Sequence, residues 1–171
     1  MQPTIFADTE STPAVWIRVE GKGTFENSAG LKAFSEQMME GGRRQFVVDL
    51  KNCPAMDSTF MGTLAGIAVR LRDRGEGLLW VLNRNERNSE LLEGLGLHML
   101  FADSEPPPPL VIVDGGANGE ITVAAKADRT ATRDVMIQAH ETCVKVNPAN
   151  EAKFKDVLEH LKESARREKT S

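Results

Sequence analysis

The stretch that decides the fold runs Phe46-Val47-Val48-Asp49-Leu50, then Lys51-Asn52-Cys53-Pro54-Ala55-Met56-Asp57, then Ser58-Thr59-Phe60-Met61-Gly62-Thr63-Leu64-Ala65-Gly66. Its first five residues are a nearly continuous apolar run of strand length. That is the pattern of a strand covered on both faces, and such strands belong to parallel sheets with helices packed on them. Residues 52–57 read as a turn. Residues 59–74 are rich in Leu, Ala and Met, carry Arg70, Arg72 and Arg74 in the last turn where cations suit the helix dipole, and stop at Gly75. Gly62 and Gly66, one helical turn apart, leave a bare face that suits close approach to the sheet.

Upstream, residues 15–20 are β-branched and half alternating, begin after Pro13 and close at Gly21, so they read as a strand, and residues 4–7 read as a shorter one. Leu31, Phe34 and Met38 recur at helical spacing behind Asn27 or Ser28 as N-cap, and Gly41-Gly42 ends that helix. Downstream, residues 78–82 read as a buried strand, 86–93 as a short helix stopping at Gly94, and 99–102 as a last short strand. Strands separated by helical stretches give an α/β fold: a mixed, largely parallel sheet flanked by helices, with right-handed crossovers.

At Pro106-Pro107-Pro108-Pro109 the composition changes, since four prolines favour an extended polyproline segment. This divides the chain into a domain at residues 1–105, a Pro/Gly-rich linker at 106–129 and a helical hairpin extension at 130–171. Within the linker, residues 110–113 and 121–124 flank a Gly-rich turn that suits a short hairpin. In the extension two helical stretches are broken by Asn147-Pro148. The stripe Phe154, Val157, Leu158 and Leu161 is too apolar for a free helix and suits packing on Val135, Met136, Ala139 and Cys143.

Charge and composition exclude several functions. With 21 Lys plus Arg against 25 Asp plus Glu, the net charge of −4 opposes a nucleic-acid footprint. The absence of Tyr and an aromatic content of 5% argue against base-stacking platforms. Cys53 and Cys143 have no zinc-site spacing around them and read as reduced thiols. No signal-peptide core or membrane span is legible, so the expected compartment is the cytoplasm. His140-Glu141 lacks the second histidine a metalloprotease helix needs, because Val144 stands there. Gly94-Leu95-Gly96 follows a helix and meets Met99 where a dinucleotide loop has its third glycine. Gly115-Gly116 to Gly119 lacks the Lys-Ser/Thr of a P-loop, and no Gly-x-Ser-x-Gly elbow exists. Only His98, His140 and His160 are available as bases, each with an ordinary helix or loop reading, so the chain reads as non-enzymatic, without metal or cofactor.

Asp57-Ser58-Thr59 stands apart, at the junction of a buried strand and the strongest helix. By local physics Ser58 is placed to be the helix N-cap, its hydroxyl accepting from first-turn amides, and that reading stops at capping.

A further pattern lies over the same residues. Val47-Val48-Asp49-Leu50, then Cys53-Pro54-Ala55-Met56-Asp57-Ser58-Thr59-Phe60-Met61-Gly62, Leu64-Ala65-Gly66, and later Leu92 to Gly96-Leu97 resemble, over roughly residues 4–103, the STAS module of bacterial anti-sigma-factor antagonists. The resemblance implies that Ser58 is phosphorylated by a partner serine kinase that is also the anti-sigma factor, with Thr59 as second candidate and Asp57 as acidic neighbour. It also implies a partner-binding surface of Asp57, Ser58, Thr59, Met61 and Gly62, and a serine phosphatase that resets the switch, without nucleic acid, membrane or cofactor. Phe60 departs from the family, in which many members carry a small residue there, and puts a bulky ring beside Ser58. The alternatives are a STAS scaffold subunit of a stress-signalling assembly, or a small-ligand-binding module using the crevice at the strand ends, both without a phospho-switch.

Overall fold

A computed structural model describes residues 4–8, 14–108, 120–123 and 128–170 of the 171. Among the described residues five strands form one sheet: β1 (Thr4–Asp8), β2 (Val15–Glu20), β3 (Gln45–Asn52), β4 (Leu78–Leu82) and β5 (Glu120–Val123), in the order β4-β3-β2-β1-β5. β2, β3 and β4 run parallel, while β1 is antiparallel to both of its neighbours, so the sheet is mixed.

The parallel part follows from its sequence. Along β3, Phe46, Val48 and Leu50 enter the main core under the helices, while Val47 enters a second cluster with Ala14 and Trp80 on the opposite face. Both faces are therefore covered, as the unbroken apolar run requires. On the second face the chain after the core returns along β4, where the Ala102 amide donates to the Leu79 carbonyl at 2.8 Å and Trp80 Nε1 donates to the Ser104 carbonyl at 3.0 Å.

The helices are α1 (Phe25–Glu40), α2 (Ser58–Asp73), α3 (Glu86–Gly94), α4 (Arg129–Val146) and α5 (Glu151–Thr170). α1 starts earlier than the sequence suggests: Thr24 is its N-cap, and Asn27 closes a capping box by accepting from the Thr24 amide at 3.0 Å. Residues 99–102 are not a strand. His98–Leu100 is a 3-10 turn that carries the chain from buried Leu97 to buried Phe101, and β5 supplies the fifth strand from within the Gly-rich segment. Residues 110–113, the other arm of the expected hairpin, lie outside the described residues.

The C-terminal helices are docked. α4 packs along α2 and α1, and α5 packs on α4. Gly62 serves this docking rather than approach to the sheet, because a Cβ placed there would lie 2.4 Å from the Ala139 carbonyl oxygen of α4. α4 buries Val135, Ala139, His140 and Cys143, and Leu161 of α5 is buried behind them. Arg133–Glu168 at 2.7 Å, Lys162–Glu141 at 2.8 Å and a tilted His140–Phe154 ring contact at 4.8 Å tie α4 to α5. Asn150, fully buried between the two helices, donates at 2.9 Å to both the Leu95 and Cys143 carbonyls, and Lys153 Nζ donates at 2.9 Å to the Gly94 carbonyl. The Gly94-Leu95-Gly96 helix stop is thus the anchor of the extension.

Candidate functional site

The turn between β3 and α2 is held from both sides before any functional group is placed. From α3, Asn88 Nδ2 donates to the Cys53 carbonyl and Asn85 Nδ2 to the Pro54 carbonyl, each at 3.0 Å. From the loop ahead of α1, the Gly23 amide donates to the Ala55 carbonyl at 3.0 Å, and the Asp57 amide donates to the Gly23 carbonyl at 2.9 Å. Gly23 is required there, because a Cβ would stand 2.5 Å from the Phe60 ring. Phe60 accordingly points inward and is fully buried, so its ring does not crowd Ser58 from outside.

Asp57, not Ser58, is the N-cap of α2. Its backbone is extended, with φ −91° and ψ 173°, and its Oδ1 accepts from the Phe60 amide at 2.8 Å. Its Oδ2 accepts from the Phe25 amide, the first of α1, also at 2.8 Å. One carboxylate therefore serves two helix N-termini, and both dipoles favour its negative charge. A hydroxyl has one oxygen and cannot reproduce this bridge, which is why the aspartate takes the cap.

Ser58 is then the first residue of the helix, and its half-buried hydroxyl is released from capping. It lies 2.9 Å from His140 Nε2 of α4. His140 Nδ1 lies 2.7 Å from the Met136 carbonyl oxygen, which can only accept. In the neutral imidazole Nδ1 therefore carries the proton, Nε2 is the acceptor, and the Ser58 O–H donates to it. The imidazole is 3% exposed while Ser58 is half-buried, so losing this bond leaves a buried ring nitrogen without its partner.

The remaining site residues lie deeper. Thr59 and Met61 are buried, and the Thr59 carbonyl accepts from Thr63 Oγ1 at 2.8 Å. Gly62 lies against Ala139 one turn beyond Ser58. The structure thus groups Asp57, Ser58 and Gly62 at one corner, with Ser58 the more exposed of the two candidate hydroxyls. His140 is the residue that sequence reasoning missed. Its signal was present, since Val135, Met136, Ala139, His140 and Cys143 share one helical stripe and a histidine on it faces whatever that stripe packs against.

Both thiols are free and buried, and burial pushes Cys143 up to about 11 and Cys53 in the same direction. Among the described residues no group of three His, Cys, Asp or Glu side chains is arranged to hold a metal. Among the same residues no helix is long and apolar enough to cross a membrane.

Comparison with known proteins follows the same outline. The model of the STAS domain family matches residues 6–106. The chain is similar in structure to an assigned anti-sigma factor antagonist of Thermotoga maritima, with a TM-score of 0.52 and 18% identity over 56% of this chain and 82% of that one. It is also similar to the phosphorylated form of the Bacillus cell fate determinant SpoIIAA, with a TM-score of 0.48 and 18% identity over 59% of this chain and 91% of that one. At such identity the first likeness is one of fold. Among curated proteins the sequence finds no match. The family match ends before β5, α4 and α5.

Proposed function

The chain belongs to the STAS domain family, and from that premise we propose that it is a non-enzymatic regulatory binding protein of the anti-sigma-factor-antagonist kind, switched by phosphorylation of Ser58. The observation that carries this reading is the division of labour at the head of α2. Asp57 does the capping, so the Ser58 hydroxyl is not consumed by the helix and is the partly exposed hydroxyl of the Asp57-Ser58-Thr59 corner.

The partner is a serine kinase of the anti-sigma type, and a serine phosphatase resets the switch, in the cytoplasm where the nucleotide donor is found. A phosphoryl group on Ser58 adds about 1.5 to 2 negative charges beside Asp57 and keeps the sheet domain folded, since the first-turn amides and the helix dipole accommodate it. Its cost falls on the partner surface docked over this corner, which meets repulsion and loses its desolvated contacts.

Phosphopeptide mapping of the protein from its native cells, together with partner affinity of two variants, tests the reading. Phosphate is expected on Ser58. Ser58→Ala should keep or strengthen partner binding, and Ser58→Asp should weaken it with little change in melting temperature. Equal affinities and no phosphate on Ser58 or Thr59 would leave the corner without a switch.

A further inference from the structure

We infer that helix α4 occupies, within the chain, the α2 surface that a partner protein needs, so that α4 is a cover that must lift before Ser58 is reached. The inference rests on the reading of Ser58 as the switch and adds what controls access to it.

Three observations carry it. The Ser58 hydroxyl donates to His140 Nε2 at 2.9 Å, so the group a kinase would modify is already engaged by a side chain of α4. Gly62, one turn along the same face, meets the backbone of α4 at Ala139 so closely that no side chain fits between them. Met136, whose carbonyl fixes the imidazole tautomer, belongs to α4 as well, so the acceptor and the group that orients it move together.

The extension is built to leave as one body. α4 and α5 are tied to each other by Arg133–Glu168, Lys162–Glu141 and the His140–Phe154 contact, none of which involves α2. At the far end, Asn150 and Lys153 hold the connection between α4 and α5 to the Gly94 and Leu95 carbonyls, and these bonds break as the body leaves. The other contacts that must break are the hydroxyl–imidazole bond, the small-residue notch and the burial of Val135, Ala139 and, in the main core, Cys143. The inner side of α2, with Phe60, Leu64 and Ile67 fully buried, stays in place.

A phosphoryl group on Ser58 needs room where the imidazole sits, so a modified chain cannot close the cover in its present geometry. An intramolecular cover also sets the strength of the interaction. Partner affinity is reduced by the fraction of chains that are open, so a cover open in about one chain in a hundred weakens apparent affinity about a hundredfold.

The native cysteines report the motion without a partner. Cys143 lies on α4 and is fully buried under it, whereas Cys53 is buried at the β3–α2 turn and is not released when α4 lifts. The full-length chain, Ser58→Ala, Ser58→Glu and Gly62→Ala would each be alkylated with N-ethylmaleimide at pH 7.5. Modification of the two thiols would be followed by peptide mass analysis, with each rate divided by that of the same thiol in denaturant.

The cover predicts that Cys143 reacts faster than Cys53 in the native chain. It also predicts that Ser58→Glu and Gly62→Ala raise the Cys143 rate at least tenfold while that of Cys53 stays unchanged, with a smaller rise for Ser58→Ala. Equal normalised rates for both thiols in the native chain and in Ser58→Ala, the mildest substitution, would overturn the cover, because α4 would then leave only on global unfolding. A Ser58→Glu chain in which Cys143 reacts no faster would overturn it equally. Failure of the switch reading looks different, since it appears in the phosphopeptide map and the partner affinities while the thiol rates hold.

Discussion

The inner and outer sides of helix α2 are held by different chemistry. On the inner side the helix is stitched to the sheet domain: Asp57 caps two helices, Phe60 fills the space that Gly23 leaves open, and four backbone-directed bonds fix the turn. On the outer side α4 contributes a part-buried side-chain hydrogen bond at Ser58, a close backbone approach at Gly62 and the buried side chains of Val135, Ala139 and Cys143. The inner side lies wholly within the residues that match the family, and the outer partner lies wholly beyond them. The residues that match the family thus supply the corner, and helices beyond that match cover it.

The comparison breaks most visibly at Phe60. Phe60→Ala removes a fully buried ring from the inner side and should cost about 3 to 5 kcal/mol in urea unfolding. A loss under about 1 kcal/mol would mean that the inner side is not the rigid half of the pair.

Asp57 sharpens it next. Asp57→Ala leaves two helix-terminal amides without their acceptor and should cost about 2 kcal/mol. Ser58→Ala, which removes no cap and leaves Nε2 of His140 unpaired, should cost about 1 kcal/mol. The reverse order in thermal or chemical denaturation would return the cap to Ser58.

A smaller effect lies in the alkaline range. Burial raises the Cys143 thiol to about 11, above its ordinary value of 9.0. Below pH 9 both states keep the proton, so the contribution to stability is fully present. As pH climbs from 9 toward 11 the unfolded chain ionises first and stability falls, by on the order of 1 kcal/mol near pH 9.5. Cys143→Ala should flatten that part of the pH profile, and an unchanged slope would show that the thiol is not held dry under α4. Cys53 contributes in the same direction.

What was legible in the sequence follows the range of the forces involved. Val47-Val48 announces a strand covered on both faces, and the Leu/Ala-rich run ending at Gly75 announces α2, because each pattern is local. Asp57 and Ser58 are both good N-caps by type, and what separates them is the Phe25 amide, 32 residues away in sequence. Likewise Met99 to Ala102 has strand-like composition, yet the spacing of the buried Leu97 and Phe101 is met by a 3-10 turn. Glu120–Val123 is a strand only because β1 offers it an edge. His140 looked ordinary because its partner Ser58 lies 82 residues upstream, and Gly62 was assigned to the sheet because nothing near it in sequence names Ala139. The site's residue types were readable, but the cover over them was not.

Native-state hydrogen exchange tests the contrast between the two sides most directly, since it gives an opening free energy for each segment of the unmodified chain. The account predicts that the amides of Arg129–Val146 exchange through an opening at least about 2 kcal/mol cheaper than that of Gln45–Asn52, with the interior of α2 staying protected. A single opening free energy shared by α4, α2 and β3 would contradict it, because α4 would then be a structural wall and not a cover.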